Sequence, residues 1–277
     1  MSEMAEFSRL AMTLEPWRKR IVFVGGWAFR LYHYEPRAYT VDHTPIFTND
    51  ADVAYAEREP LEGDIKQALE GAGFKEEPNF GGDVDPPAMR YTLDGANGFY
   101  AEFLTPLTGS GKKRDGKGGF KNDATELKAG VVAQKLRHLE VLLFQPWLVT
   151  IPTDETGLGE PVTDLRVPNP VSFIIQKLLI RDDRRQLKRL ANDVVYIHDA
   201  LQIFYGAMDD LVPIWKQLAG ALHPNQQKSV RDGVKELFSE MNDVIREAVT
   251  IPTDRKVDPD AMLRLCREGF EELFGEA

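Results

Sequence analysis

The hydrophobic pattern of this 277-residue chain changes its period once, near residue 166, and that change limits the folds open to it. Before it, short apolar runs and alternating segments such as IVFV (21–24) and MRYTLDGANGFYAEFLTPL (89–107) are typical of strands. After it, apolar residues recur at helical spacing. Strands first and helices last predict an α+β fold, with an α/β head over residues 1–165 and an all-helical C-terminal domain over residues 166–277.

Start and stop signals give the expected elements. In the head we expect a helix within the first twenty residues, strands at 21–24 and 48–55, a helix at 61–74, and a hairpin over 89–107 that turns at Asp94-Gly95. In the C-terminal domain we expect helices at 171–181, 184–205, 209–222, 224–249 and 258–274. The apolar residues of these last helices suit a bundle core or a face for self-association.

Composition excludes several classes of protein. An apolar content of 43% and a charged content of 28% are ordinary for a globular protein, which excludes a mainly disordered or fibrous chain. The net charge of −10 argues against an overall basic surface for nucleic acid, and a single cysteine, Cys266, excludes an internal disulfide. No apolar run approaches the roughly 18 residues that span a membrane, and the N-terminus is acidic where a secretion signal is basic. We therefore expect a cytoplasmic protein with no membrane partner.

Two basic segments stand against the acidic total. Residues 108–122 hold five basic residues and one acid, and residues 177–189 hold six basic residues and two acids. Such a segment is most often a solvated loop or helix face. It gains a functional meaning only if both segments lie beside the same anionic ligand.

Three acidic residues lie on predicted strands in a pattern that suits cation binding. Asp50 and Asp52 are two residues apart, so both side chains leave the same face of their strand. Glu102 takes the equivalent position in a later alternating strand, GFYAEFL. If the two strands are neighbours, the three carboxylates converge and suit one or two Mg²⁺ ions that also hold phosphate oxygens. An isolated Asp-x-Asp pair is more often the exposed face of an edge strand.

The preceding segment favours the metal-binding alternative. The IVFV strand runs into Gly25 and Gly26, and a helical segment, WAFRLYHYE, follows. A glycine turn at a helix N-terminus offers backbone N–H groups and a favourable dipole to a triphosphate. The order of phosphate-binding turn, paired carboxylates and third carboxylate therefore predicts a nucleotide site.

These segments resemble the motifs of the nucleotidyltransferase superfamily, the polymerase-β-like fold. The matching strings are VGGWA (24–28), NDADV (49–53) and AEFL (101–104). The resemblance implies a mixed sheet with flanking helices. It also implies that Asp50, Asp52 and Glu102 are catalytic residues that bind two Mg²⁺ ions, with Mn²⁺ as an alternative metal, and that Gly25 and Gly26 bind the nucleotide.

The segment LRVPNPVSFIIQKLLIRDDRRQLKRLANDVVYIHDAL (165–201) looks most like the AbiEii/MenT-type branch of toxin-like nucleotidyltransferases. In that branch, a proline-led helix carries a lysine that contacts nucleotide phosphates. The match gives Lys177 this position, with Arg181 one turn later, and gives Lys188 and Asp193 the positions of a later nucleotide-binding pair. The resemblance covers about residues 20–205.

The function that this resemblance implies is Mg²⁺-dependent transfer of NMP from an NTP, such as ATP, to an acceptor hydroxyl. The two basic segments favour an RNA acceptor, such as a tRNA 3′ end; a protein or a small molecule is the alternative. A toxin-like protein would have an antitoxin partner or associate with itself through its C-terminal helices.

Two departures from the superfamily pattern keep another function open. Twenty-three residues separate Gly26 from Asp50, about twice the usual gap, so 36–47 is expected to be an insertion or an irregular loop. Trp27 stands where a small hydroxyl residue is common. Both would fit a non-catalytic module of the same fold that binds a nucleotide or a partner.

Two further strings imitate phosphate-binding motifs. GGDVD (81–85) precedes two prolines and lacks an apolar strand before it, which predicts a turn. GKKRDGKG (111–118) has the spacing of a P-loop, but Gly118 occupies the position of the metal-binding Ser or Thr. We expect either a basic loop over a substrate or a plain flexible loop there.

Overall fold

The computed structural model describes residues 2–43, 45, 48–79, 87–95, 98–114 and 120–275, and for residues 113, 114, 120 and 121 it describes the backbone alone. The strands are β1 (Ile21–Val24), β2 (Asp50–Tyr55), β3 (Phe74–Pro78), β4 (Met89–Leu93), β5 (Tyr100–Pro106), β6 (Lys112–Arg114), β7 (Phe120–Asn122), β8 (Thr125–Lys128), β9 (Val131–Leu136), β10 (Trp147–Ile151) and β11 (Val162–Val167). The helices are α1 (Glu3–Thr13), α2 (Gly25–Leu31), α3 (Ile65–Gly71), α4 (Leu139–Leu142), α5 (Thr153–Thr156), α6 (Pro170–Leu179), α7 (Arg181–Gln186), α8 (Leu190–Ile203), α9 (Met208–Ala221), α10 (Pro224–Phe238), α11 (Asp243–Ala248) and α12 (Pro259–Phe274). Short 3₁₀ turns lie at Glu15–Trp17, Tyr32–Tyr34 and Tyr205–Ala207.

Seven of the described strands form one mixed sheet, and its order makes the two carboxylate-bearing strands neighbours. The strand order is β1-β2-β5-β4-β3, and β9 pairs with β5 as well as with β8. The β2–β5 and β5–β9 pairs are parallel, and the other pairs are antiparallel. This mixed sheet with flanking helices confirms the predicted α+β fold class, and the β4–β5 pair confirms the predicted hairpin.

The two faces of the sheet differ because side chains alternate along each strand. One face is buried and packs against α1, where the rings of Phe7 and Phe23 lie 5.0 Å apart. The other face is apolar only at one end, where Ala54 and Leu104 pack with residues of β1 and α4. Two residues earlier on the same strands and on the same face, polar side chains take over. The candidate site lies on this polar end.

The contacts of the chain divide it into two compact units. The first comprises Met1–Tyr34 with Phe47–Pro168 and contains the sheet, and the second comprises Glu35–Ile46 with Asn169–Ala277 and contains the helices from α6 onward. The domain limits expected from the sequence, 1–165 and 166–277, stay a prediction.

The long segment before the Asp50 strand belongs to the second unit. Its described residues form no helix or strand beyond Tyr34, as expected of an irregular loop. The N–H of Tyr39 donates to the carbonyl of Ile203 (2.7 Å), and His43 Nε2 lies 3.2 Å from Gln202 Oε1. The segment therefore packs against the end of α8.

Three helix starts in the second unit are confirmed, each with a side-chain cap and a proline at the first position. Asn169 caps α6, His223 caps α10 and Asp258 caps α12. Cap side chains accept hydrogen bonds from backbone N–H groups that would otherwise have no partner, which fixes where each helix begins.

The predicted helix 184–205 is wrong, because the chain stops one helix and starts another within it. Lys188 has a φ of +54°, and the N–H groups of Lys188 and Arg189 donate to the carbonyls of Arg185 (3.0 Å) and Arg184 (2.9 Å). These two bonds form a Schellman motif that ends α7, with a lysine where glycine is usual.

The predicted helix 224–249 is also wrong, since α10 ends at Phe238 and α11 begins at Asp243. Asn242 causes the break: its side chain accepts from the N–H of Ile245 (3.1 Å) and donates to the carbonyl of Leu237 (2.9 Å). One side chain therefore closes the first helix and caps the second.

Among the helices that the structure describes, none combines the length and apolar character that a membrane crossing requires.

Candidate active site

The three predicted carboxylates lie on one face of two neighbouring parallel strands. In the β2–β5 pair, Asp52 is opposite Glu102 and Asp50 is opposite Tyr100. These four side chains are partly exposed, whereas the residues between them on each strand are buried. The condition on which the three carboxylates would converge, that the Asp50 strand and the Glu102 strand are neighbours, is therefore met.

Negative charge is concentrated on this face. Burial raises the pKa of Glu102, the charge of Asp50 raises it further, and Arg90 acts in the opposite direction. Burial and the charges of Asp50, Glu102 and Asp52 raise the pKa of Tyr100 to about 12. Since the charges of all three carboxylates act on Tyr100, they are concentrated on one face, and that face favours the binding of a cation.

Gly25 lies against Asp52. Val24 pairs with Asp52 in the β1–β2 ladder, so β1 brings the next residue, Gly25, to the carboxylate. The φ of Gly25 is +66°, and a Cβ there would overlap Oδ2 of Asp52 and lie 3.3 Å from its Cγ. Both the backbone conformation and the close approach require glycine. Gly25 and Gly26 begin α2, so the glycine turn and the paired carboxylates adjoin each other.

Trp27 has a packing role. Its side chain is fully buried, its ring stacks on Phe7 at 4.2 Å, and it meets the edge of Phe99 at 5.9 Å. The guanidinium of Arg30 lies 4.7 Å from the indole centroid. Trp27, which departs from the superfamily pattern, is thus a core residue that packs α2 against α1.

Two residues beside Glu102 were missed by the sequence analysis. Nδ2 of Asn79 donates to Oε1 of Glu102 at 2.7 Å. Arg90 is opposite Glu102 in the β4–β5 pair, and its guanidinium lies 5.6 Å from the ring centroid of Tyr100. The alternation of MRYTL could have placed Arg90 on the polar face. No local signal points to Asn79.

The carboxylates fit Mg²⁺ by their chemistry and strand register. Within the described ranges, no three His, Cys, Asp or Glu side chains are grouped closely enough to hold a metal ion together. Asp50, Asp52 and Glu102 nevertheless supply hard oxygen donors from one face, and Mg²⁺ binds through few carboxylates while keeping several waters. Burial and then the charge of Asp50 raise the pKa of Glu102, and a bound cation would relieve the repulsion between these two carboxylates.

Lys177 and Asp193, both predicted to bind nucleotide, pair with each other in the second unit. Lys177 Nζ lies 2.8 Å from Asp193 Oδ1, and Arg184 Nε lies 2.7 Å from Oδ2 of the same carboxylate. The ammonium of Lys177 also lies over the rings of Phe173 (4.7 Å) and Tyr196 (4.4 Å). Their nucleotide-binding role stays a prediction.

Arg181 and Lys188 also lie in the second unit. The guanidinium of Arg181 is mostly buried; it donates to the carbonyls of Leu178 (2.9 Å) and Ser229 (3.0 Å) and pairs with Glu236 (3.0 Å). Lys188 is the residue that terminates α7. Because α6 ends at Leu179 and α7 ends at Gln186, Lys177, Arg181 and Lys188 do not lie on one face of a continuous helix. Their nucleotide-binding role also stays a prediction.

The two strings that imitate phosphate-binding motifs lie largely outside the described residues. GGDVD (81–85) lies wholly outside them, and so do residues 115–119 of the basic segment. The flanking parts of that segment pair as a two-stranded ladder, β6 with β7, in which Lys112 is opposite Asn122.

Comparison with known proteins gives one match. Residues 2–204 match a protein-family model described as Nucleotidyltransferase. Neither the curated proteins nor the solved structures contain a match to the chain. The matched range includes every residue of the candidate site in the first unit, and it extends through α6, α7 and α8.

Proposed function

Because the chain belongs to this nucleotidyltransferase family, we propose that it transfers NMP from an NTP to an acceptor hydroxyl in a reaction that requires Mg²⁺. The acceptor oxygen forms a bond to the α-phosphorus, the bond from that phosphorus to the bridging oxygen of pyrophosphate breaks, and the hydroxyl proton passes to a base. The observation that carries the proposal is the adjacency of Gly25, Asp52 and Glu102 on one polar face.

Asp50, Asp52 and Glu102 would hold the metal ions. Bound Mg²⁺ would stabilise the negative charge that develops on the phosphate oxygens, which is the main electrostatic contribution in such reactions. By the superfamily resemblance, Glu102 would complete the second metal site and would also help to deprotonate the acceptor hydroxyl.

Gly25 and Gly26 would let the main chain approach the β- and γ-phosphates. They carry no side chain, and they begin a helix whose first N–H groups have no helical partner. Because Gly25 lies against Asp52, a phosphate at this turn would be close to the carboxylates that hold the metal.

Lys177, Arg181, Lys188 and Asp193 are the nucleotide-binding residues that we propose in the second unit. The support for this part is the resemblance to the AbiEii/MenT-type branch, together with a family match that includes all four residues. We propose that Lys177 and Arg181 neutralise phosphate charge and that Asp193 orients Lys177, to which it is bonded.

The acceptor we propose is an RNA end, and the toxin-like branch supplies the tRNA 3′ end as its example. The basic segments 108–122 and 177–189 support this choice on an otherwise acidic chain. Transfer to RNA should therefore fall steeply as the salt concentration rises, and replacing Lys112, Lys113 and Arg114 by Ala should flatten that dependence. A triple variant with the wild-type salt dependence would contradict the RNA acceptor.

The experiment that tests the activity uses four α-labelled NTPs, each offered with total RNA, protein extract or small hydroxyl compounds. We expect metal-dependent transfer of label from at least one NTP to the RNA fraction. Label in the protein or small-molecule fraction would keep the enzyme and change the acceptor. Metal-dependent NTP binding by calorimetry, with no transfer to any acceptor, would instead support the non-catalytic module.

A further inference from the structure

Asn79 reaches the third carboxylate from the far side of β4. It follows β3, and its N–H donates to the carbonyl of Ala88 (2.8 Å), so the β3–β4 pairing continues one residue past Pro78 and Met89. Its side chain donates to Oε1 of Glu102 on β5 at 2.7 Å. A backbone hydrogen bond to β4 thus fixes the main chain of Asn79, and its side chain reaches across β4 to Glu102 on β5.

The neighbouring side chains on β4 leave this path open. Alternation places Ala88 and Arg90 on the same face as Asn79 and Glu102. Ala88, which is opposite Asn79, is too small to block the amide. Arg90 is held by Glu77, whose Oε2 it contacts through Nε (3.1 Å) and Nη2 (2.9 Å).

We propose that Asn79 is a positioning residue of this site, which holds Glu102 by one oxygen and leaves the other for the cation and the acceptor hydroxyl. The proposal rests on the proposed function. A carboxamide suits this role because it is a neutral donor: it orients the carboxylate of Glu102 without adding charge beside Asp50 and Asp52, and it takes no proton from Glu102.

A glutamate side chain has several rotatable bonds, so an unheld carboxylate would sample many orientations. The hydrogen bond to Asn79 restricts that freedom before any ligand binds. Partners that orient metal ligands in this way typically account for about 10–100-fold in metal affinity or activity.

The test compares Asn79→Ala and Asn79→Leu with wild type in the full chain. Asn79→Leu keeps the approximate size of the side chain but removes the hydrogen-bond donor to Glu102. We expect both variants to bind Mn²⁺ about 10–100-fold more weakly by calorimetry. At saturating metal, kcat for NMP transfer should fall by a similar factor, while KM for the NTP changes by less than about twofold.

Three further variants separate positioning from a general effect on the hairpin. Thr92→Val removes a hydrogen bond to Glu77 on the same face and leaves the Asn79–Glu102 bond in place, so it should keep wild-type Mn²⁺ affinity and kcat. Ala88→Leu should reproduce the losses of Asn79→Ala by blocking the path. Asn79→Gln retains the amide and should recover part of the lost kcat.

Wild-type Mn²⁺ affinity and kcat in Asn79→Ala would overturn the proposal, and so would equal losses in Asn79→Ala and Thr92→Val. If Asn79→Ala does not fold, Asn79→Leu and Ala88→Leu carry the same comparison, with thermal denaturation as the check of folding. A wild-type protein that transfers no NMP would contradict the proposed function, and the Mn²⁺ measurements would still decide the role of Asn79.

Discussion

The charged groups of the two units are arranged in opposite ways. In the second unit, the buried carboxylate of Asp193 has two cations within hydrogen-bonding distance, Lys177 and Arg184. At one end of the sheet face of the first unit, the carboxylates of Asp50, Asp52 and Glu102 share one surface. Arg90 only partly offsets the rise in the pKa of Glu102, and it is itself held by Glu77.

The difference distinguishes a carboxylate that is compensated by side chains of its own unit from carboxylates that a bound cation would compensate. Breaking a buried, compensated pair leaves an uncompensated charge and destabilises the folded chain. Neutralising one of several crowded carboxylates relieves repulsion, so its cost should appear in activity and not in stability. Substitutions in the two regions should therefore have opposite signatures.

The largest effect should come from Asp50→Asn. We expect it to reduce NMP transfer by at least about a thousandfold, because a metal carboxylate supports several kcal/mol of transition-state stabilisation. The melting temperature should stay unchanged or rise, since one of three crowded charges is lost. Asp94→Asn is a matched control: Asp94 is exposed and pairs with Lys75. Transfer at the wild-type rate by Asp50→Asn would refute its assignment.

Asp193→Asn should have the converse signature. It leaves Lys177 and Arg184 facing a neutral group, and we expect the free energy of unfolding in urea to fall by about 3 kcal/mol. Asp182→Asn, which removes an exposed carboxylate bonded to Arg185, should change it by less than about 0.5 kcal/mol. Because Lys177 is also proposed to bind phosphate, Asp193→Asn should weaken NTP binding as well; a variant with wild-type stability would contradict the contrast between the units.

The sequence supplied the candidate site residues of the first unit, because alternation along a strand is a local property. Asp50, Asp52 and Glu102 could each be placed on the polar face of their own strand. The parallel pairing of β2 with β5 could not be derived locally, since β3 and β4 lie between them in the chain; the sequence alone indicated only that the carboxylates converge if the two strands are neighbours.

The features that the sequence did not indicate depend on tertiary contacts or on unusual local chemistry. Asn79 acts across β4, and nothing in its neighbourhood signals Glu102. The helix break at Lys188 could not be predicted, because a lysine occupies the left-handed position at which a glycine is the usual sequence signal for a helix end. The break at Asn242 lies inside an uninterrupted helical apolar pattern, so periodicity alone predicted one long helix.

Gly25→Ala should affect both stability and activity, because it acts where the backbone meets a carboxylate. The left-handed conformation costs an alanine roughly 1–2 kcal/mol. The new Cβ would also force Asp52 to move, and displacement of a reacting group can reduce the rate by about a hundredfold. Gly71→Ala is the control, since a Cβ there meets no atom within 4 Å. Urea denaturation and transfer assays on both variants measure the two effects, and wild-type transfer by Gly25→Ala would contradict the contact.

The smallest expected effect is on the pH dependence of stability, and it compares two glutamates on the same sheet face. Burial and the charge of Asp50 raise the pKa of Glu102 in the folded chain. Between its unfolded pKa and its folded pKa, the folded chain therefore binds more protons than the unfolded chain, and stability falls as pH rises. Glu102→Gln should therefore be more stable than wild type at neutral pH and lose that advantage in acid.

Glu77 should behave with the opposite sign, since hydrogen bonds from Arg90 and Thr92 hold its pKa below the ordinary value. The stability that ionised Glu77 contributes is present above its unfolded pKa and is lost as pH falls through the folded pKa. Glu77→Gln should thus be slightly less stable than wild type at neutral pH, and the difference should vanish in acid. Urea denaturation of the three proteins between about pH 4 and pH 8 measures both trends. If Glu77→Gln were also more stable than wild type at neutral pH, Arg90 would not compensate the charge of Glu77. The repulsion between carboxylates would then extend beyond the Asp50–Glu102 end of the face.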